Sequence, residues 1–278
     1  MSPEEISKIA RIATEFGIRN IKITGGEPLL RKDLTEIVHS LSGIQGVSEV
    51  SLVTNATLLS YNKALELKKH GLSRLNISLP SISDQTYRRV TGGQLKDAVA
   101  GVRAAIKAHL APTKINMVIL RGLNENEVEF MIDFAKEIGA ILQLIELEPV
   151  NLDGEYYKSF HCTLDELEDK IAGKASSVQV RRLMQSRKIY SVDGTSVEVV
   201  RPVENTEFCI HCTRIRLTSS GKLKPCLMRN DNLVDILTPL RKGLPDSSLQ
   251  EIFEKAVNLR EPYYKFRSRN LKKPRVES

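Results

Sequence analysis

The sequence predicts an α/β fold in which a partial parallel barrel is followed by a C-terminal extension. Over residues 1–150, short apolar strands alternate with amphipathic helices, which is typical of parallel βαβ units. A length of 278 residues accommodates one large barrel-like domain with an appendage. The first predicted element is a helix, although a barrel normally begins with a strand. We therefore expect an incomplete barrel that is missing its first strand.

The predicted elements of the barrel follow one another in a regular order. The first helix covers residues 3–16, with Ser2 as its N-cap, Pro3 at the first helical position and Gly17 at its end. Strands are predicted at about residues 19–24, 50–54, 74–78, 113–119 and 141–146, and helices from residue 33 and over 60–70, 84–90, 95–109 and 125–137. In such barrels the loops at the carboxyl ends of the strands carry the chemistry.

The pattern changes after Pro149. An Asp/Glu-rich helix is followed by shorter strands around residues 187–200 and by a hairpin at 214–226. These elements predict an extension that lies across the barrel. We therefore expect a domain boundary near residue 150, with the partial barrel over 1–150 and the extension over 151–278.

The composition is that of a basic protein without membrane or export signals. The formal charge is +7, and no apolar run approaches the roughly 18 residues that a membrane span requires. No export signal opens the chain, so we expect a cytoplasmic location, where disulfides are rare. The basic balance suits a polyanionic ligand, but the sparse aromatic residues do not indicate specific binding of nucleic acid. The one basic cluster, residues 265–275, is interpreted as a solvated terminus.

Three cysteines in the extension have the spacing of a metal site. Cys209 and Cys212 lie on one turn, and Cys226 follows a predicted hairpin that returns the chain to its starting level. Three thiolates can hold an iron-sulfur cluster with one open iron, or a zinc ion that takes Cys162 or His211 as its fourth ligand. Unligated buried thiols are the third alternative, and Cys162 is interpreted as a small apolar core residue.

Two arginines lie beside this metal loop. Arg214 and Arg216 alternate on a predicted strand, so both side chains point to the same face. Guanidinium groups in that position are suited to binding phosphate or a carbonyl-bearing base. The alternative interpretation is a pair of exposed strand arginines.

The loop after the first predicted strand carries the most specific motif. Residues 22–28 read Lys-Ile-Thr-Gly-Gly-Glu-Pro, in which the glycine pair permits close approach of the backbone to a ligand and Glu27 offers a carboxylate at the barrel mouth. This string resembles the loop that binds S-adenosylmethionine (SAM) in radical SAM proteins. Its flanking residues resemble the GTP 3',8-cyclase family of molybdenum cofactor biosynthesis.

The resemblance covers nearly the whole chain. It continues through predicted strand ends and their loops at residues 54–55, 76–79, 114–116, 121–124 and 145–146, and it ends in the three cysteines with residues 213–217. It implies a (β/α)6 TIM-like radical SAM barrel with a C-terminal iron-sulfur extension.

The resemblance also implies roles for individual residues, although it assigns no catalytic side chain. Gly26 and Ser78 would contact SAM. Cys209, Cys212 and Cys226 would hold the family's C-terminal 4Fe-4S cluster, whose unique iron faces the purine. The implied GTP contacts are Lys22, Thr54, Lys114, Arg214 and Arg216.

The reaction and partners of the family follow from the same resemblance. A family enzyme generates a 5'-deoxyadenosyl radical from SAM and converts GTP to (8S)-3',8-cyclo-7,8-dihydroguanosine 5'-triphosphate. The resemblance further implies a downstream cyclic pyranopterin monophosphate synthase in the pathway, and a homodimer is one expected assembly.

Several positions depart from the family pattern. Lys22 stands in place of an arginine, and Glu148 in place of a methionine that lines the SAM pocket. Val53 stands in place of a threonine that contacts substrate, so Thr54 is taken as its substitute. Residues 276–278 replace the usual Gly-Gly terminus.

The family's N-terminal 4Fe-4S cluster, which cleaves SAM, is held by a Cys-x3-Cys-x2-Cys loop, but no cysteine of this sequence precedes Cys162. We therefore expect these residues to bind ligands without cleaving SAM. The alternative to a family enzyme is a non-catalytic protein that binds GTP or SAM, or a zinc-stabilised relative.

Overall fold

The computed structural model describes residues 1–181 and 185–264. The basic cluster at 265–275 and the terminus at 276–278 lie outside the described residues. Among the residues that are described, none of the helices combines the length and the apolar character that crossing a membrane requires.

The strands belong to one large and one small sheet. In chain order they are β1 (Asn20–Ile23), β2 (Glu49–Thr54), β3 (Arg74–Ser78), β4 (Lys114–Ile119), β5 (Ile141–Glu146), β6 (Ser177–Arg181), β7 (Arg187–Val192), β8 (Thr195–Val200), β9 (Arg216–Leu217), β10 (Lys222–Lys224) and β11 (Val234–Asp235). The strands predicted between residues 19 and 146 are therefore confirmed, with small shifts at their ends.

The helices alternate with the strands through the first half of the chain. They are α1 (Pro3–Glu15), α2 (Leu34–Ser42), α3 (Tyr61–Lys69), α4 (Asp84–Thr91), α5 (Leu95–Lys107), α6 (Val128–Glu137), α7 (Gly154–Phe160), α8 (Asp165–Lys174), α9 (Thr206–Ile210), α10 (Leu237–Arg241) and α11 (Asp246–Asn258). The helix predicted over 125–137 begins with a 3-10 turn at Glu125–Glu127 and is α-helical only from Val128.

The large sheet has eight strands in the order β1-β2-β3-β4-β5-β8-β7-β6. Strands β1 to β5 are parallel, and β8 continues the parallel series beside β5. At the far edge β7 pairs antiparallel with β8, and β6 pairs antiparallel with β7. The predicted incomplete α/β barrel is thus confirmed. The strands predicted around 187–200 lie in this main sheet and not across it, because Val197 and Val199 of β8 complete the same core. The domain boundary near residue 150 stays a prediction.

Side chains alternate between the two faces of the main sheet, and this alternation creates the site. On the outer face, apolar residues such as Leu52, Ile77 and Leu142 are fully buried in a core shared with α2, α3, α5 and α6. The intervening positions point to the inner face, and several are polar or charged: Lys22, Asn76, Lys114, Asn116, Gln143 and Glu198. Parallel strands are usually apolar on both faces, so the polar inner face indicates the location of a candidate site.

A second, smaller core joins the two ends of the described chain. Ile9 and Ile12 of α1 pack with Leu223 of β10 and with Phe253 of α11. The ring of Phe16 lies 4.9 Å from that of Phe253. The small antiparallel sheet of β9, β10 and β11 therefore rests on the first helix of the barrel.

Candidate functional site

A cavity of about 230 Å³ lies on the inner face of the main sheet. It is lined by Lys22 of β1, Lys114 of β4 and Arg187 of β7, and also by Arg214 and Arg216 beside the small sheet. Because strands from both halves of the main sheet line one cavity, the sheet is curved around it. This cavity, called the basic cavity below, brings together most of the cations that the sequence singles out.

Lys22 is surrounded by other cations. Its side chain is accessible within the cavity, but the enclosing protein removes much of the bulk water, and this desolvation lowers the pKa of Lys22 to about 8. The positive charges of Arg74, Arg214, Lys114 and Arg187 contribute to the same decrease in the pKa. Its Nζ donates a long hydrogen bond to the Asn76 Oδ1 at 3.5 Å. An anion in the cavity would relieve this repulsion.

Lys114 is held by a buried carboxylate. Its Nζ lies 2.5 Å from the Glu198 Oε2, to which Gln143 Nε2 also donates a hydrogen bond. Burial opposes ionisation of Glu198, but Lys114, Arg187 and Arg181 hold the pKa of this carboxyl below its usual value. Glu198 thus remains charged and fixes the position of Lys114 at the cavity wall.

The loop after β1 is fixed through Glu27. Its Oε1 accepts hydrogen bonds from the Leu29 N at 3.0 Å and the Thr54 Oγ1 at 2.6 Å, and its Oε2 accepts one from the Asn55 N at 2.8 Å. Thr54 is buried with its hydroxyl on Glu27, whereas the neighbouring Val53 lines the basic cavity. Thr54 is therefore not brought to the cavity with the other predicted substrate contacts. It joins the ends of β1 and β2.

The residues predicted to contact SAM lie at the carboxyl ends of β1 and β3. Gly26 is exposed and lines neither cavity described here, and a Cβ atom built on it would meet no atom within 4 Å, so its backbone is open to approach by a ligand. Ser78, at the end of β3, lines a second cavity of about 430 Å³. Asn116 and Ile145 line both cavities, which therefore adjoin. The Asn116 Oδ1 is buried there without a hydrogen-bond partner among the described residues.

The three cysteines predicted as metal ligands all line the basic cavity and are half-buried. Cys209 and Cys212 lie on one turn, since the Cys212 N donates to the Cys209 O at 3.2 Å. Burial raises the pKa of the Cys209 thiol, and the charges of Cys226 and Cys212 raise it further. Cys162 packs against the main core and does not line this cavity.

The hairpin of β9 and β10 returns Cys226 to the other two cysteines. Gly221 in its turn has a φ of +77°, and a Cβ there would lie 2.2 Å from the Leu237 Cβ, so the turn requires glycine. Ile215 packs against the second core, whereas Arg214 and Arg216, at the alternate positions, face the basic cavity.

No group of three or more His, Cys, Asp or Glu side chains within residues 1–181 and 185–264 is arranged to hold a single metal ion. The cysteines of a four-iron cluster each bind a different iron, so a cluster does not require that they meet at one point.

Sequence reasoning missed several residues of the basic cavity. Arg74 pairs with Glu49 at 2.8 Å and also lines the cavity, and Arg187 and Gln143 complete its wall. Glu148, noted only as a departure from a family pattern, lines the same cavity. The signal in the sequence that could have identified such residues is a polar residue at alternate positions of an otherwise apolar strand.

Comparison with known families divides the chain into two matched segments. Residues 1–135 match the Radical SAM superfamily. Residues 140–266 match the family described as Molybdenum Cofactor Synthesis C.

Relatives resemble this chain along almost its whole length. A protein of Methanocaldococcus jannaschii named "Probable GTP 3',8-cyclase" is 45% identical over 268 residues, which cover 96% of this chain and 87% of that protein. A Pyrococcus horikoshii protein of the same name is 46% identical over 270 residues, covering 95% of this chain and 86% of the relative.

Solved structures are similar in fold. Streptococcus suis SuiB bound to S-adenosylmethionine superposes with a TM-score of 0.67 at 17% identity, covering 98% of this chain and 63% of SuiB. At that identity the similarity concerns the fold alone; together with the Radical SAM match over residues 1–135 it confirms the predicted architecture.

Proposed function

The chain belongs to the GTP 3',8-cyclase family of radical SAM proteins, and from this premise we propose that the basic cavity is its GTP site. The family acts in molybdenum cofactor biosynthesis and uses SAM and 4Fe-4S chemistry to cyclise GTP. In the proposed arrangement the triphosphate lies among Lys22, Lys114, Arg214 and Arg216, and the guanine is directed toward the three cysteines.

One observation carries the proposal: a single cavity is lined both by the cations predicted to bind GTP and by the three cysteines. A nucleoside triphosphate has two chemically different ends, a polyanion and a heterocycle. The strand residues Lys22 and Lys114 offer charge at one part of the cavity wall, and the extension offers thiolates beside Arg214 and Arg216. The guanidinium groups lie between these two parts of the wall and can bind phosphate oxygens.

The cysteines fit a 4Fe-4S cluster. Three half-buried cysteine side chains on two adjoining segments form a sulfur donor set, which iron-sulfur clusters use once the thiols are deprotonated. Cys209, Cys212 and Cys226 would hold it. When bound, such a cluster supplies one iron without a cysteine ligand, at which the purine can be oriented. The chain's own contribution is to place Arg214 and Arg216 next to that position.

The second cavity is proposed to receive SAM. Ser78 offers a hydroxyl in its wall, and the exposed Gly26 leaves room for close approach at the neighbouring loop. The unpartnered Asn116 Oδ1 lies where the two cavities adjoin, so it can accept a hydrogen bond from either ligand. Thr54 contributes indirectly, because it holds Glu27 and so fixes the glycine loop.

The proposals about assembly and pathway partners are based on the family resemblance alone. A homodimer and a downstream cyclic pyranopterin monophosphate synthase are proposed on that basis.

Calorimetric titration of the anaerobically reconstituted chain with GTP, ATP and pyrophosphate tests the proposal. We expect GTP to bind more tightly than ATP or pyrophosphate, because only GTP offers both the polyanion and the guanine. Equal affinity for GTP and pyrophosphate would show that the cavity recognises charge alone. A chain that binds none of the three would contradict the proposed site.

The affinity for GTP is expected to fall severalfold as the pH rises from about 7 to about 9. The pKa of Lys22 is lowered to about 8 in the free protein, so the lysine loses its charge over this interval, while the bound triphosphate favours the charged form. The Lys22→Arg variant keeps its charge throughout and should show a flatter pH profile. The measurement is the dissociation constant at several pH values. An equally steep decline in Lys22→Arg would contradict the assignment.

A further inference from the structure

Arg187 is a buried cation with few partners. It is 7% exposed, and its Nη2 donates to the Gln185 Oε1 at 2.5 Å. Its Nε is buried and forms no hydrogen bond with any described residue. Its ion pair among the described residues is a long one, 3.9 Å from the Nη1 to the Glu198 Oε1. Buried donors without partners are rare in folded proteins, so this group calls for a physical explanation.

The surroundings of Arg187 disfavour its charge in the free protein. Burial and, to a smaller extent, the nearby guanidinium of Arg214 together lower the pKa of Arg187 to about 10. Glu198 offsets this only in part, because its other oxygen is already occupied by Lys114 and Gln143. Binding of an anion would supply the missing countercharge.

Arg187 lies at the wall of the basic cavity. It lies at the start of β7, with its guanidinium carbon 5.6 Å from the centre of the Phe208 ring. Arg187 and Phe208 both line the basic cavity, and Lys22 and Arg214 lie close enough to influence its charge. A guanidinium with an unused donor at the cavity wall is suited to binding a phosphate oxygen.

We propose that Arg187 binds the phosphate chain of the nucleotide, acting from the opposite half of the sheet to Lys22. This inference rests on the proposed function. It identifies Arg187 as a phosphate-binding residue that lies outside the sequence motifs. Because its buried Nε has no partner among the described residues, a contact with phosphate replaces no existing hydrogen bond, and its contribution to affinity should be large.

The test compares two matched variants, Arg187→Gln and Arg181→Gln. Arg181 also lies within ion-pair distance of the Glu198 Oε1, at 3.8 Å, but it does not line the basic cavity. Both variants therefore remove one positive charge near the same carboxylate. Calorimetry would measure binding of GTP, GMP, guanosine and inorganic tripolyphosphate to each.

We expect Arg187→Gln to weaken GTP binding at least about tenfold, a loss typical of one charge-assisted contact. Binding of GMP should weaken less, and that of guanosine should not change. Arg181→Gln should weaken GTP binding by less than about threefold. Equal effects of the two variants, or an equal loss for guanosine, would overturn the proposal.

A stability measurement separates binding from folding. Removing a poorly paired buried charge should leave the melting temperature of the ligand-free Arg187→Gln protein unchanged or higher, while the stabilisation by added tripolyphosphate shrinks. A lower melting temperature together with an unchanged tripolyphosphate shift would assign Arg187 a structural role and overturn the proposal. If the parent bound tripolyphosphate through Arg187 but did not prefer GTP, the proposed function would fail and this inference would stand.

Discussion

Replacing Cys226 with alanine is expected to reduce iron and sulfide binding by the anaerobically reconstituted chain to background. The three cysteines line one cavity, and a cluster held by three thiolates cannot lose one of them without exposing a second iron. Replacement of Cys209 or Cys212 should have the same effect. The measurement is iron and acid-labile sulfide per chain, with the brown chromophore as a second readout.

Cys162→Ala is the matched control for this experiment. Cys162 is also half-buried, but it packs against the main core, so its variant should keep the full iron content. Loss of iron in Cys162→Ala would place a fourth ligand there. Full iron content in Cys209→Ala, or stoichiometric zinc in place of iron in the parent, would contradict the cluster assignment.

The double variant Arg214→Ala/Arg216→Ala is expected to bind GTP at least about tenfold more weakly than the parent chain. Each charge-assisted contact contributes roughly 1.5 to 3 kcal/mol net, and about 1.4 kcal/mol corresponds to one decade in affinity. The two arginines face the basic cavity while Ile215 between them packs against the second core, so their truncation leaves the strand anchored. Calorimetry with GTP provides the measurement.

The control is a double variant with the same loss of charge elsewhere. Arg11 and Arg19 are exposed and do not line the basic cavity, so Arg11→Ala/Arg19→Ala should leave the affinity for GTP nearly unchanged. If both double variants bind GTP as the parent does, the substrate site lies elsewhere. If both weaken binding equally, the net charge of the protein accounts for the effect.

The order of strands and helices could be predicted from the sequence because each element carries its own periodic pattern. The pairing of the later strands, β6 to β8, could not be predicted in this way. A hairpin such as β7–β8 has the same local pattern whether it lies across a barrel or extends its sheet, and only the parallel pairing of β8 with β5 distinguishes the two. This pairing depends on contacts between residues far apart in the chain, which local patterns do not report.

The candidate site was predicted where residue type and spacing form a motif, and missed where the chemistry depends on tertiary position. The spacing of Cys209, Cys212 and Cys226 was sufficient to place them together. Arg187 has no motif around it, and its importance follows from burial and from an unpartnered Nε that only the folded structure reveals. Thr54 shows a further limit of motif reasoning: its contact with GTP stays a prediction, and only the folded structure reveals that its hydroxyl is bonded to Glu27.

The second core also has a consequence for the order of folding. Its members come from α1, near one end of the described chain, and from the hairpin and α11, near the other; Glu5 and Arg241, 236 positions apart, form an ion pair across this junction. During translation the apolar face of α1 therefore stays without its partners until nearly all of the described chain has emerged. Contacts of such long sequence separation form late and slowly. The segment that positions the cysteines is thus expected to acquire its native structure only after the parallel sheet has formed.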